Sequence, residues 1–161
     1  MAVVSDIAAN YLCPRRVFNG MLARKTSEGR VLAMVFAGCA VTFVGQWPRL
    51  ARDAHFENTD IYPLLGGALM GWMLIAPLLL YLIAYISHAA CILIKARVTA
   101  HDARLALFWA FLASSPLMLL YGLTAGFIGP GRALDMVGLV WCGVFLWFWI
   151  VNLRVSHGDR K

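Results

Sequence analysis

Along the chain, long apolar stretches alternate with short polar ones, and the apolar stretches have no wet side. Residues 61–94, IYPLLGGALMGWMLIAPLLLYLIAYISHAACILI, contain no Asp, Glu, Lys or Arg. A core-facing helix of a soluble domain shows a polar stripe opposite its apolar one. Lipid removes that need and requires backbone N–H and C=O groups to be paired within the segment. The run is therefore predicted to be a membrane-spanning helix, and as the longest uncharged stretch it is expected to organise the chain.

Three more stretches follow the same logic. Residues 31–47, VLAMVFAGCAVTFVGQW, form a short span ended by Pro48, with Arg30 snorkelling at one end and Trp47 at the other interface. Residues 105–128 form a span with Pro116 near its middle, ended by Gly129-Pro130-Gly131. Residues 137–153 form a fourth, with Trp147 and Trp149 suited to an interfacial belt. As one helix, 61–94 would run about 51 Å against a hydrocarbon thickness of ~30 Å. A hairpin inside it would need a polar turn, and none is present. Residues 61–66 are instead read as an interfacial lead-in broken at Pro63 and Gly66-Gly67, before a tilted span 66–94 kinked at Pro77.

The expected fold is thus an all-α integral membrane bundle of four transmembrane helices. Residues 1–29 form a cytoplasmic or interfacial N-terminal segment, 30–153 the membrane domain and 154–161 a tail. Within the first segment, Pro14 suits a first helical position. Val17, Phe18, Met21 and Leu22 then share one face, flanked by Arg15, Arg16, Arg24 and Lys25. An apolar face with basic flanks predicts an amphipathic helix in the headgroup plane whose cations reach lipid phosphates. Arg15-Arg16 is not read as a twin-arginine signal, nor Cys39 as a lipoprotein cysteine, because the apolar run continues straight through Cys39 to Trp47.

Composition adds direction. Charged residues make up 14% of the chain, and the net charge is +6. That charge suggests membrane orientation rather than nucleic acid, because the cations sit in short segments between apolar runs. Four spans place eleven Lys and Arg on one side and three on the other. By the positive-inside rule, both termini are cytoplasmic. Cys13, Cys39, Cys91 and Cys142 show no metal or disulfide spacing and read as free thiols.

Candidate chemistry is sparse. His88 is the only histidine inside a span, with Tyr81 and Tyr85 before it at helical spacing. An intramembrane ionisable residue is a functional-site candidate by default. The alternative is a neutral His hydrogen-bonded to Ser114 or Ser115 of the next span. Gly67–Gly71 and Gly122–Gly126 are two GxxxG motifs that let helix backbones approach closely, within the bundle or in an oligomer. A pairing of the second and third spans through them is geometrically attractive. No catalytic motif is present, haem would lack a second histidine in a span, and no cofactor or metal site is expected.

Pro14 and Phe18 in a basic N-terminal segment are followed by Gln46-Trp47-Pro48-Arg49, then by Ala76-Pro77-Leu78-Leu79-Leu80-Tyr81. Ala103-Arg104-Leu105-Ala106-Leu107-Phe108-Trp109 then leads to Ser115-Pro116-Leu117. In order and spacing this pattern resembles the Yip family of multi-pass membrane proteins, in a bacterial branch. The resemblance implies a membrane-embedded helical bundle. Eukaryotic relatives associate with small GTPases and with one another in vesicle traffic, and this chain lacks the long cytoplasmic N-terminal region that many of them carry. The expected function is a non-enzymatic protein of the bacterial inner membrane acting through helix–helix contacts. It would work as an oligomer or as an accessory subunit of a larger complex, with lipids and other transmembrane helices as partners and no nucleic acid. The alternative is a small transporter or channel using His88, Tyr85, Ser114 and Ser115.

Overall fold

The structure is a computed structural model that describes residues 3–24, 26–93, 96 and 98–158. Its described residues form six helices and no strand: α1 Val3–Leu12, α2 Pro14–Ala23, α3 Glu28–Glu57, α4 Ile61–Leu93, α5 Ala100–Phe127 and α6 Arg132–Gly158. Helices α3 to α6 are each long and apolar enough to cross a membrane. The all-α bundle with four such helices is therefore present, with a helical N-terminal segment before it.

The helix at the centre is not the one the apolar run suggests. In its most apolar window, α5 is 67% buried, whereas α4 is 11% buried and α6 only 6%. From Leu105 to Ala113, every residue of α5 is buried. Helix α3 lies on one side of it, α6 on another and α4 against a third. In lipid, an apolar side chain gains little by leaving acyl chains for a protein interior. The most apolar helix has no drive inward, so α4 is peripheral.

Small residues place α3 against α5. Val31, Val35, Gly38, Thr42 and Gly45 are the buried stripe of α3, repeating every three to four residues. A methyl group added at Gly38 would lie 2.7 Å from the Phe111 ring. One added at Gly122 would run into the Gly45 carbonyl, and one at Gly126 into Pro48. The Gly122–Gly126 motif therefore pairs the first and third spans; the pairing of the second and third spans through their two motifs does not form. Around Gly66, Gly67 and Gly71 of α4 there is open space.

Several boundaries differ from the sequence reading, each for a local reason. Pro48 does not end the first span. Transmembrane helices tolerate proline where neighbours compensate, and here Pro48 seats on Gly126. The helix runs on through an Arg49–Asp53 pair at 3.5 Å to Asn58, whose left-handed backbone (φ 51) ends it. Arg52 on this extension donates to the carbonyls of Gly126 and Phe127 at 3.1 and 3.3 Å, capping α5. The lead-in at 61–66 is not broken at Pro63 or Gly66-Gly67: the helix is continuous from Ile61. Its irregularity is a π turn at Gly71–Ile75, where the Ala76 N–H reaches back to the Gly71 carbonyl, immediately before Pro77.

Helix α5 starts at Ala100, not at 105, because Thr99 and Asp102 form a capping box. The Asp102 N–H donates to Thr99 Oγ1 at 3.2 Å. Helix α6 starts at Arg132 rather than 137. Trp149 is half-buried: it stacks on Phe145, 6.0 Å away, and packs against the core.

The N-terminal segment is packed on the bundle. The apolar face of α2 meets protein rather than lipid, with Phe18 fully buried and Val17, Met21 and Leu22 against the core. Helix α1, which the sequence reading did not anticipate, docks through Asn10, whose Oδ1 accepts from Trp109 Nε1 at 3.0 Å between two fully buried side chains. Tyr11 sits edge-on to Phe148 of α6 at 5.2 Å, so both ends of the described chain lie at one end of the bundle.

Because the Gly122 Cα meets backbone rather than a flexible side chain, Gly122→Ala is expected to destabilise the bundle by about 2 kcal/mol or more. Gly67→Ala meets open space and should be neutral or slightly stabilising. Thermal unfolding of the purified protein in detergent checks the contrast.

Candidate functional site

The polar side chains of α4 lie on one flank near the basic end of the bundle. Tyr81, Ala84, Tyr85 and His88, at helical spacing, line a cleft of about 210 Å³ closed on its far side by Ala100 and Arg104 of α5. The two alanines leave the space. The Tyr81 ring is held edge-on to Phe108 at 4.8 Å, whereas Tyr85 is largely exposed. His88 Nδ1 is buried and, among the described residues, has no hydrogen-bond partner.

Arg104 is fixed from behind. Its Nε donates to the Ala100 carbonyl at 3.2 Å and its Nη2 to Glu28, at the start of α3, at 2.8 Å. Ser87, the other polar group on this part of α4, returns its hydroxyl proton to the Ile83 carbonyl at 2.6 Å and is satisfied.

Ser114 and Ser115 are not part of this cleft. Ser114 lies ten residues beyond Arg104, about 15 Å along α5. Its hydroxyl donates to the Phe111 carbonyl at 3.0 Å. Both serines are buried inside the bundle. The expected His88–serine hydrogen bond is not formed, because the two groups sit at different levels of the bundle. His88 and Tyr85 come together, and the residue that joins them is Arg104.

Arg15 and Arg16 are exposed on α2, and Arg24, just past its end, is exposed as well. Lys25 lies outside the described residues. Between α1 and α2 a crevice of about 470 Å³ is bordered by Arg16 and Arg24 but also by Asp6. Cys13 and Cys142 are exposed free thiols, and Cys39 and Cys91 buried ones. Among the described residues, no group of three or more His, Cys, Asp or Glu could hold a metal ion.

Four residues escaped the sequence reading as site residues. Asn10 and its partner Trp109 hold α1. Asn152 of α6, fully buried, donates from Nδ2 to the Ala106 carbonyl at 3.1 Å. Asn152 carried a usable signal, being an amide inside an otherwise apolar span. Arg104 carried none, since only the capping box, by moving the start of α5 back to Ala100, puts it on a helix face.

Comparison with known proteins gives no match: no family model, no curated protein and no solved structure is similar to this chain.

If His88 answers to Arg104 and not to the serines, Ser114→Ala and Ser115→Ala should leave the imidazole ¹⁵N resonances of His88 unchanged, whereas Arg104→Gln should move them.

Proposed function

We propose that this chain is a non-enzymatic integral membrane protein that works through helix–helix contacts, as an oligomer or as an accessory subunit of a larger membrane complex. The observation that carries the reading is the contrast between its two glycine motifs. Gly122 and Gly126 are consumed inside the bundle by Gly45 and Pro48. Gly66, Gly67 and Gly71 on α4 meet nothing within the chain, although the helix that carries them is long enough to span the membrane. Small residues on an outward helix face let a second helix approach to backbone contact, the main route to association where lipid supplies no hydrophobic drive. The outer half of α4 has no buried residue of its own from Ile61 to Ile75, so a partner helix there displaces only lipid.

The same reading places the protein in the inner membrane of a bacterium, with both termini cytoplasmic. Support comes from the eleven-to-three division of Lys and Arg between the two ends and from the meeting of both chain ends at the basic one. Arg15 and Arg16 on exposed α2 are positioned to meet anionic headgroups. The likeness to the Yip family belongs to this proposal. It rests on the order of the motifs, with Gln46-Trp47-Pro48-Arg49 now in the middle of a helix rather than at its end.

Replacing Gly67 and Gly71 together by Leu is expected to reduce self-association, or co-purification with partner subunits, by about tenfold in mild detergent. The variant should still insert and unfold at the parent temperature. An unchanged distribution of oligomers and co-purifying proteins would remove the proposal. A reporter fused after Lys161 should be active on the cytoplasmic side only.

A further inference from the structure

The cleft between α4 and α5 has a composition that lipid chains do not explain. Along the bundle-end half of α4 the outward positions are Leu78, Leu79, Leu82, Ile83 and Ile86, as lipid requires. On the flank toward Arg104 the pattern changes to Tyr81, Tyr85 and His88. Hydrocarbon can hydrogen-bond none of these, and a buried polar atom without a partner is costly. Yet His88 Nδ1 is buried with no partner among the described residues, and the residue itself lines an open space.

The same space is lined by Arg104, whose guanidinium is already oriented. Arg104 uses Nε and Nη2 on Ala100 and Glu28, and among the described residues its Nη1 has no bond. A preset Arg beside an imidazole that lines the same cleft is a receptor for phosphate oxygens: the guanidinium gives a charge-assisted bond, and a ring N–H of the imidazole gives a second donor.

Depth and charge narrow the ligand. His88 is five residues from Leu93, about 8 Å from the end of α4, and Arg104 is four residues into α5, about 6 Å from its start. Both therefore lie where headgroups meet acyl chains, at the end of the bundle richest in cations. Glu28, 2.8 Å from Arg104, offsets most of that cation's charge. One partly neutralised cation suits the single negative charge of a phosphodiester better than the greater charge of a phosphomonoester. The exposed Leu78 and Leu82 continue from the cleft along α4 and offer an acyl chain a surface.

We propose that the cleft bounded by Tyr81, Tyr85, His88 and Arg104 is a binding site for the phosphodiester of a membrane phospholipid, with Arg104 and His88 holding its oxygens. The lipid fills the flank of α4 away from α6 and leaves the glycine face free.

Native mass spectrometry of the full chain in detergent, titrated with phosphatidylglycerol, tests this. The wild type is expected to retain phosphatidylglycerol at least about tenfold more tightly than diacylglycerol of the same chains. His88→Phe is expected to weaken phosphatidylglycerol binding by about tenfold. Because Arg104→Gln alone strands Glu28, the paired variant Glu28→Gln/Arg104→Gln keeps the contact between the two helices, and it should weaken binding to the same degree or more. Equal retention by wild type and both variants would overturn the site. Equal affinity for diacylglycerol would reduce it to an apolar groove. Displacement of the lipid by millimolar inorganic phosphate would overturn its assignment to a lipid.

Discussion

The contact between Gly45 and Gly122 governs this bundle. Side chains would hold α3 and α5 apart; with glycine at both positions, and Gly38 and Gly126 above and below, the two backbones meet over several turns. Within lipid, helices are not driven together by hiding apolar surface, so the closeness of such contacts and the few hydrogen bonds they admit supply the attraction. Once α3 is laid on α5, the rest follows in space. The extension of α3 beyond Pro48 delivers Arg52 to the carbonyl end of α5, and the start of α3 delivers Glu28 to Arg104 near the other end. One helix is thus clasped at both ends by its neighbour.

The polar side chains of the interior follow the same division. Asn10 on Trp109, Asn152 on Ala106 and Glu28 on Arg104 all attach other helices to the first turns of α5. Each neutral bond contributes about 1 kcal/mol net, and more is lost if one partner is left buried alone. They mark the basic end as the place where register is set. His88 departs from this pattern, because it makes no such attachment and lines a cleft instead. The first half of α4, Ile61 to Ile75, has no buried residue, and its glycines have open space beside them. The packed interior, the cleft and the open glycine face thus occupy different helices or different flanks of one helix.

Hydrophobic patterning made the four long helices legible, along with the amphipathic α2 and the common location of both chain ends. It did not reveal which helix is central. The longest uncharged run, 61–94, reads as a core to an eye trained on soluble proteins. In lipid the ranking reverses, and the helix with serines, a threonine and close glycines is the one enclosed. Pro48 read as a stop because local rules do not know that Gly126 waits opposite. A third span read as starting at 105 leaves the Thr99-x-x-Asp102 cap, and with it Arg104, outside the helix. His88 and the tyrosines one and two turns before it could be singled out from sequence, but its neighbour on the next helix could not, since the serines share its solvent and not its depth. Two GxxxG motifs announce close contact without naming the partner, and here one is used within the chain while the other is not.

The account depends on α5 being shielded from lipid by the helices around it. Photolabelling in native-like bilayers with a carbene reagent dissolved in the lipid phase measures this directly, residue by residue. Heavy labelling of α4 and α6, with Leu105–Ala113 left nearly untouched, is the expected result. Labelling of Leu105–Ala113 as strong as that of α4 would contradict the arrangement from its centre outward.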